Sequence, residues 1–249
     1  MSPPAPSSSI AKAFELLEFL AGAERALSLQ EVVDGVRLSK PTACRLLRTL
    51  HDLGYVSRPA GGRDYLVGPR TARLAAADPH AAIKAAAFPH LKALHETFNE
   101  STNLAVLSGH EILYLKVLET TQALRFTLSP GGNDPYYRTA LGRATAAKLP
   151  EAEWKKLLAE THIVPLTSRT VRTRASLQAH IVKARRLGYA EEIEESVEGV
   201  TCLAIDLGGL GFPTAAVSVA VPIQRLNPRR KSAIVRALKT LSQPKKSHA

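Results

Sequence analysis

Cysteine is nearly absent from this 249-residue chain: Cys44 and Cys202 are its only two, which excludes a disulfide-built scaffold and fits a reducing compartment. Long apolar runs are missing too. None approaches the roughly 18 residues of a membrane span, and 1–9, rich in Pro, Ser and Ala, is not expected to act as a signal peptide. A cytoplasmic protein with no membrane contact is the expectation. Aromatic residues make up only 5%, yet 45% of the chain is apolar and 22% charged, which argues against disorder and allows one large core or two smaller ones. HExxH, paired-cysteine, GxSxG and phosphate-loop patterns do not occur, and the eight histidines are scattered. No metal, cofactor or catalytic residue is therefore expected.

Acidic residues are what the C-terminal end lacks. Of the formal charge of +11, residues 207–249 supply eight basic groups and no acid, while 1–75 carry a net +3 and the stretches between them balance. That end is expected to be a solvated basic helix with a disordered tip at 244–249. A second phosphate-contacting surface is the alternative. Within the first 75 residues the segment 35–51 carries Arg37, Lys40, Arg45 and Arg48 with no carboxylate. Positive charge held on a rigid face is what polyanion binding requires.

The hydrophobic spacing around that cluster predicts three helices. Ile10, Ala13, Phe14, Leu17, Leu20 and Ala21 mark an amphipathic first helix over 9–21. Ser28 followed by Glu31 is a capping-box arrangement for a short second helix, followed by a turn at 35–38. Ser39 is a candidate N-cap for a third helix to about residue 52, with Pro41 tolerated in its first turn. Ala43, Leu46, Leu47 and Leu50 form its inner face, and Cys44 is expected as a small packing residue. Two β-prone runs, 55–58 and 64–67, flank a glycine-rich tip and predict a hairpin wing. The combination is a winged helix-turn-helix whose third helix enters a major groove. Thr42 and Arg45 are the candidate base contacts; Ser39, Lys40, Arg48, Arg58 and Arg63 are candidate phosphate contacts.

Residues 69–77 predict a short connecting helix. Beyond it a helix is expected to about 98, interrupted or bent at Pro89, with His95 as an ordinary face residue. Strands are expected at 102–107, 111–117 and 124–128, a loop at 129–134, and helices at 136–148, 151–160 and 173–187. Two further strands, 200–206 and 215–222, precede a last helix at 228–241. Antiparallel strands with helices on one face make an α+β domain. The predicted division is 1–68 for the DNA-binding head, 69–80 for the linker and 81–249 for the second domain.

Several separated segments in order resemble the IclR family of transcriptional regulators. They include Lys12-Ala13-Phe14-Glu15-Leu16-Leu17, Leu38-Ser39-Lys40-Pro41-Thr42, Leu50-His51-Asp52-Leu53-Gly54-Tyr55-Val56, and Thr139-Ala140-Leu141-Gly142-Arg143. Leu187-Gly188-Tyr189-Ala190, Glu198-Gly199-Val200-Thr201-Cys202 and Ala215-Ala216-Val217-Ser218-Val219 continue the match. The resemblance implies a GAF-like effector-binding domain, a homodimer or homotetramer, an inverted-repeat operator in double-stranded DNA, and regulation of a metabolic operon. Repression is the expected sign.

Carried across by position, the resemblance implies an effector pocket lined by Tyr136, Tyr137, Arg138, Thr139, Gly142, Glu192, Cys202 and Ser218. Departures from the family pattern bear on the ligand. Tyr136 and Tyr137 replace the usual Pro-Leu-His loop, Glu192 stands where an aspartate is usual, and Ala220 where some members have a second serine. A small anionic or aromatic metabolite is expected, with a larger aromatic one favoured over two- or three-carbon acids. The competing readings are a non-specific or architectural DNA binder that uses the basic C-terminal end, and an enzyme with a regulatory head that depends on Cys202.

Overall fold

The computed structural model describes residues 9–241 apart from 24, 60 and 77, so the tip at 244–249 expected to be disordered lies outside the described residues. The architecture is α+β in two compact units, divided between Pro79 and His80.

The first unit packs α1 (Ser9–Gly22), α2 (Leu29–Val36) and α3 (Lys40–Asp52) around Leu16, Leu20, Val32, Val36, Leu47 and Leu50. The capping box forms in full: Glu31 N donates to Ser28 Oγ, and Ser28 N donates to Glu31 Oε2 at 2.8 Å, so two donors left unpaired at the start of α2 are satisfied. Arg37 then turns the chain in a left-handed conformation at φ 52°. Ser39 sits at the N-cap of α3 with extended backbone, but its hydroxyl meets Thr42 Oγ1 at 2.8 Å instead of capping a backbone N–H. The wing is shorter than predicted, with β1 (Val56–Ser57) paired antiparallel to β2 (Leu66–Val67). An added bridge between Leu27 and Tyr65 ties it to the start of α2. Gly68 is required where hairpin and helix end meet, because a Cβ there would lie 2.4 Å from the Gly54 carbonyl oxygen. A short α4 (Thr71–Ala75) follows.

The second unit is built on a six-stranded antiparallel sheet. Its strands are β3 (Ser101–Ser108), β4 (Glu111–Leu118), β5 (Asn133–Pro135), β6 (Ala190–Ile193), β7 (Val200–Leu207) and β8 (Phe212–Pro222), in the order β5-β4-β3-β8-β7-β6. Side chains alternate between two cores. Leu104, Leu203, Ile205, Val217 and Val219 face α5 (Ala81–Phe98) and α9 (Pro228–Leu241). Ala105, Ala204 and Ala216 face α6 (Ala140–Ala146), α7 (Glu151–Glu160) and α8 (Arg174–Leu187). Small residues on that second face fit α6, every residue of which is buried.

Four expectations are corrected here. Helices cover both faces of the sheet, because the central strands are apolar on both sides. The segment 124–128 forms no strand, whereas 133–135, read as the end of a loop, pairs with β4. The single helix expected at 136–148 is a 3-10 turn (Tyr136–Arg138) followed by α6, separated by Thr139 in extended conformation with its hydroxyl accepting from Gly142 N. Helix α5 is not interrupted at Pro89, which lies exposed inside it.

Candidate functional site

Two regions gather the residues singled out from the sequence. On the first, α3 buries Ala43, Leu46, Leu47 and Leu50 and leaves Lys40, Arg45 and Arg48 exposed, so amphipathic patterning alone aims three cations outward. None of the three has a carboxylate within ion-pair distance among the described residues. Ser39 is exposed, and Thr42 is half-buried against it. Arg63 is exposed in the turn of the wing. Arg58 is held more firmly: its guanidinium lies 4.5 Å from the centre of the Tyr65 ring and donates to that tyrosine's hydroxyl.

Cys44 is exposed, contrary to its expected packing role. One residue past Ala43 is about 100° further round the helix, off the buried stripe. It lines a groove of about 410 Å³ with Leu47, Arg48, His51, Arg58 and Tyr65, between the helix and the wing.

The second region is a narrow pocket of about 20 Å³, room for a single water. Thr139, Glu192, Cys202 and Ser218 line it, so four of the eight residues implied by the resemblance come together. Register explains two contacts: Asn103 pairs across the sheet with Ser218, and Glu192 with Cys202. Asn103 Nδ2 donates to Ser218 Oγ at 3.2 Å, while its Oδ1 is buried without a partner. Glu192 Oε1 accepts from the backbone N–H groups of Glu195 and Ser196. Burial outweighs those bonds and pushes the Glu192 carboxyl up to about 7. Burial, with Glu192 beside it, likewise raises the Cys202 thiol, so no activated nucleophile is formed there.

The other four implied residues lie elsewhere. Tyr136 turns its hydroxyl to Thr161 Oγ1 at 2.8 Å, and Tyr137 donates to the Val164 carbonyl at 3.0 Å. Their place on the 3-10 turn sends both rings toward the segment after α7. Arg138 pairs with Asp134 at 2.6 Å. Gly142 is needed for packing: a Cβ on it would lie 2.3 Å from the Tyr136 carbonyl oxygen. The cavity's aromatic wall is instead Tyr114 and Phe126, with Asn103 and Asp134 as polar groups that the sequence reading did not select. Asn103, directly ahead of the apolar run 104–107 in the strand expected at 102–107, was the available signal. Tyr114 donates to Asp134 Oδ2 at 3.0 Å. Phe126 and Leu128, both half-buried, come from the irregular segment after β4 and line the pocket.

Among the described residues no group of three or more His, Cys, Asp or Glu side chains could hold a metal ion. Nor is any helix among them long and apolar enough to cross a membrane.

Two protein-family models match the chain. The IclR helix-turn-helix domain covers residues 9–60, and the bacterial transcriptional regulator IclR C-terminal domain covers residues 76–244. The chain is 33% identical to SauR of Cupriavidus necator over 221 residues, 86% of each chain. It is 31% identical over 216 residues to the HTH-type transcriptional regulator Rv1719 of Mycobacterium tuberculosis, covering 87% of this chain and 83% of that one. The crystal structure of the Thermotoga maritima IclR superposes with a TM-score of 0.76 over 94% of this chain and 95% of the other, at 24% identity, a likeness of fold.

Proposed function

The chain belongs to the IclR family of bacterial transcriptional regulators, and from that premise we propose that it is a cytoplasmic repressor of a metabolic operon, released from its operator by a small organic acid or aromatic metabolite. DNA is read by the winged helix-turn-helix, with 1–68 as the head, 69–80 as the linker and 81–249 as the GAF-like effector and oligomerisation domain. Thr42 and Arg45 read base edges in this proposal, and Ser39, Lys40, Arg48, Arg58 and Arg63 meet phosphates. Two heads in a homodimer, or in a homotetramer built from it, match an inverted repeat, because half-site spacing is set by two-fold symmetry.

The observation that carries the ligand half of the proposal is the narrow polar pocket. Its unpartnered Asn103 Oδ1 supports a ligand group that donates a hydrogen bond, and the Glu192 carboxyl, which keeps its proton up to about pH 7, supports one that accepts a hydrogen bond. Tyr114 and Phe126 offer an aromatic face. At about 20 Å³ the pocket is too small for a metabolite, which enters only when the lining moves apart. That requirement supports two arrangements of the domain, one of which the ligand prefers. The test is selection of bound duplexes from a random double-stranded pool at physiological salt, followed by metabolite screening against the recovered operator. An enriched inverted repeat supports the proposal; binding that vanishes with salt and enriches nothing overturns the specific reading.

The alternative of a non-specific binder working through the C-terminal end is weakened by how that charge is used. Arg225 and Arg230 both pair with the buried Glu100, Lys231 pairs with Glu191, and Lys239 lies over the Tyr189 ring. Pairing with the chain's own acids neutralises Arg225, Arg230 and Lys231, and leaves Arg229, Arg236 and Lys239 as the cations of that end without a carboxylate partner among the described residues.

A further inference from the structure

We propose that the groove bounded by α8, β6 and the segment 168–173 is a second ligand site, separate from the Ser218 cavity, and that it takes a small oxyanion. The groove encloses about 520 Å³, within the span of small-molecule sites. One wall is a single face of α8, where Ser176, His180, Lys183 and Leu187 recur at helical spacing.

The floor is a fixed polar assembly. Arg143 and Glu195 are buried and form a bidentate pair, Nη1 to Oε1 at 2.5 Å and Nη2 to Oε2 at 2.6 Å. Arg143 Nε donates to the Tyr137 carbonyl, and Nη1 also reaches His180 Nδ1 at 3.1 Å. A guanidinium only donates, so Nδ1 is the acceptor and the imidazole proton resides on Nε2. Burial and the neighbouring Arg143 lower the His180 pKa, which keeps this tautomer neutral. The ring is half-buried, and Nε2–H has no partner among the described residues. It is a donor with its direction set from behind.

Charge then decides the ligand. Both acids of the groove are already engaged, Glu195 by Arg143 and Glu191 by Lys231. Arg169 is paired with Glu194 at 2.9 Å. Arg172 and Lys183 are exposed at the rim and have no carboxylate within ion-pair distance among the described residues. What the groove still offers is two free cations and a neutral N–H donor. A carboxylate or a phosphate group uses all three, and a cation or a purely apolar ligand uses none.

The experiment is a pair of titrations of the full-length, isotope-labelled protein at constant ionic strength, one with inorganic phosphate and one with succinate, followed by backbone amide shifts. Saturable shifts in 168–173 and α8 are expected, weakened at least tenfold in R172E/K183E and changed less than twofold in S218A. Saturation by phosphate alone assigns a phosphoryl ligand and by succinate alone a carboxylate ligand; either supports the site. Shifts that never saturate, that map onto the Ser218 cavity, or that persist unchanged in R172E/K183E overturn it.

Discussion

Glu192 and Cys202 are direct cross-strand partners on β6 and β7, and both line the same narrow pocket. The carboxyl is 1% exposed at residue level and titrates near 7, above its ordinary value. A raised folded pKa means that the folded state holds the proton more tightly than the unfolded one. The associated stability is complete below the unfolded value and is lost as pH rises through about 7. Urea denaturation from about pH 5 to pH 8 should show the native protein losing on the order of 3 kcal/mol relative to Glu192→Gln. Parallel pH profiles for the two proteins would refute this.

Arg45→Ala and Arg63→Ala should separate base reading from phosphate contact. Loss of Arg45 is expected to cost about 1–3 kcal/mol on the operator and little on random DNA, relaxing the selected sequence at one position. Loss of Arg63 should weaken both by the same factor and reduce the salt slope by about 1. Anisotropy titrations on the two duplexes at several salt concentrations decide it; equal losses for Arg45→Ala on both would remove its base-reading role.

Gly142→Ala should destabilise the second domain by about 2–3 kcal/mol, because the added methyl meets backbone atoms that cannot rotate away. Thermal unfolding is the readout. An unchanged transition would show that the 3-10 turn and α6 separate readily.

Ser28→Ala removes one half of the capping box and should cost about 1 kcal/mol of stability in the DNA-binding head. Ser39→Ala, whose hydroxyl bonds Thr42 and caps nothing, should cost less. Chemical denaturation of both variants side by side orders them.

Cys44 is exposed on the basic helix, whereas Cys202 is half-buried in a pocket with room for a single water. A bulky thiol reagent should therefore modify one cysteine per chain rapidly and lower DNA affinity. Cys44→Ser should abolish both the fast phase and the loss of binding.

Much of the first unit was legible because each residue answered to one constraint. The apolar spacing of Ala43, Leu46, Leu47 and Leu50 fixes which side of α3 is buried, and with it where Lys40, Arg45 and Arg48 point. The sheet's second edge was harder to read. Ala190-Glu191-Glu192-Ile193 carries two adjacent carboxylates, a poor strand signal, yet forms β6 because Glu191 finds Lys231 and Glu192 finds backbone donors. The reverse holds at Leu124–Leu128, where a β-prone run stays irregular and gives Phe126 and Leu128 to the cavity instead of to a ladder. Tyr136 and Tyr137 were misplaced for a third reason: adjacency to Thr139 in sequence says nothing of the break in direction that its extended backbone introduces.

A cavity that holds one water while shut makes ligand entry a two-step event. If that pocket takes the proposed ligand, its lining has to move apart before a metabolite reaches Glu192, so the observed association rate should rise with concentration only until opening becomes limiting, then level off. Apparent affinity is scaled down by the fraction of molecules open at any instant. Shortening Leu128, which also lines the pocket, would raise that fraction and leave Asn103, Glu192 and the aromatic face of Tyr114 and Phe126 in place, so a regulator so altered would respond to lower metabolite levels.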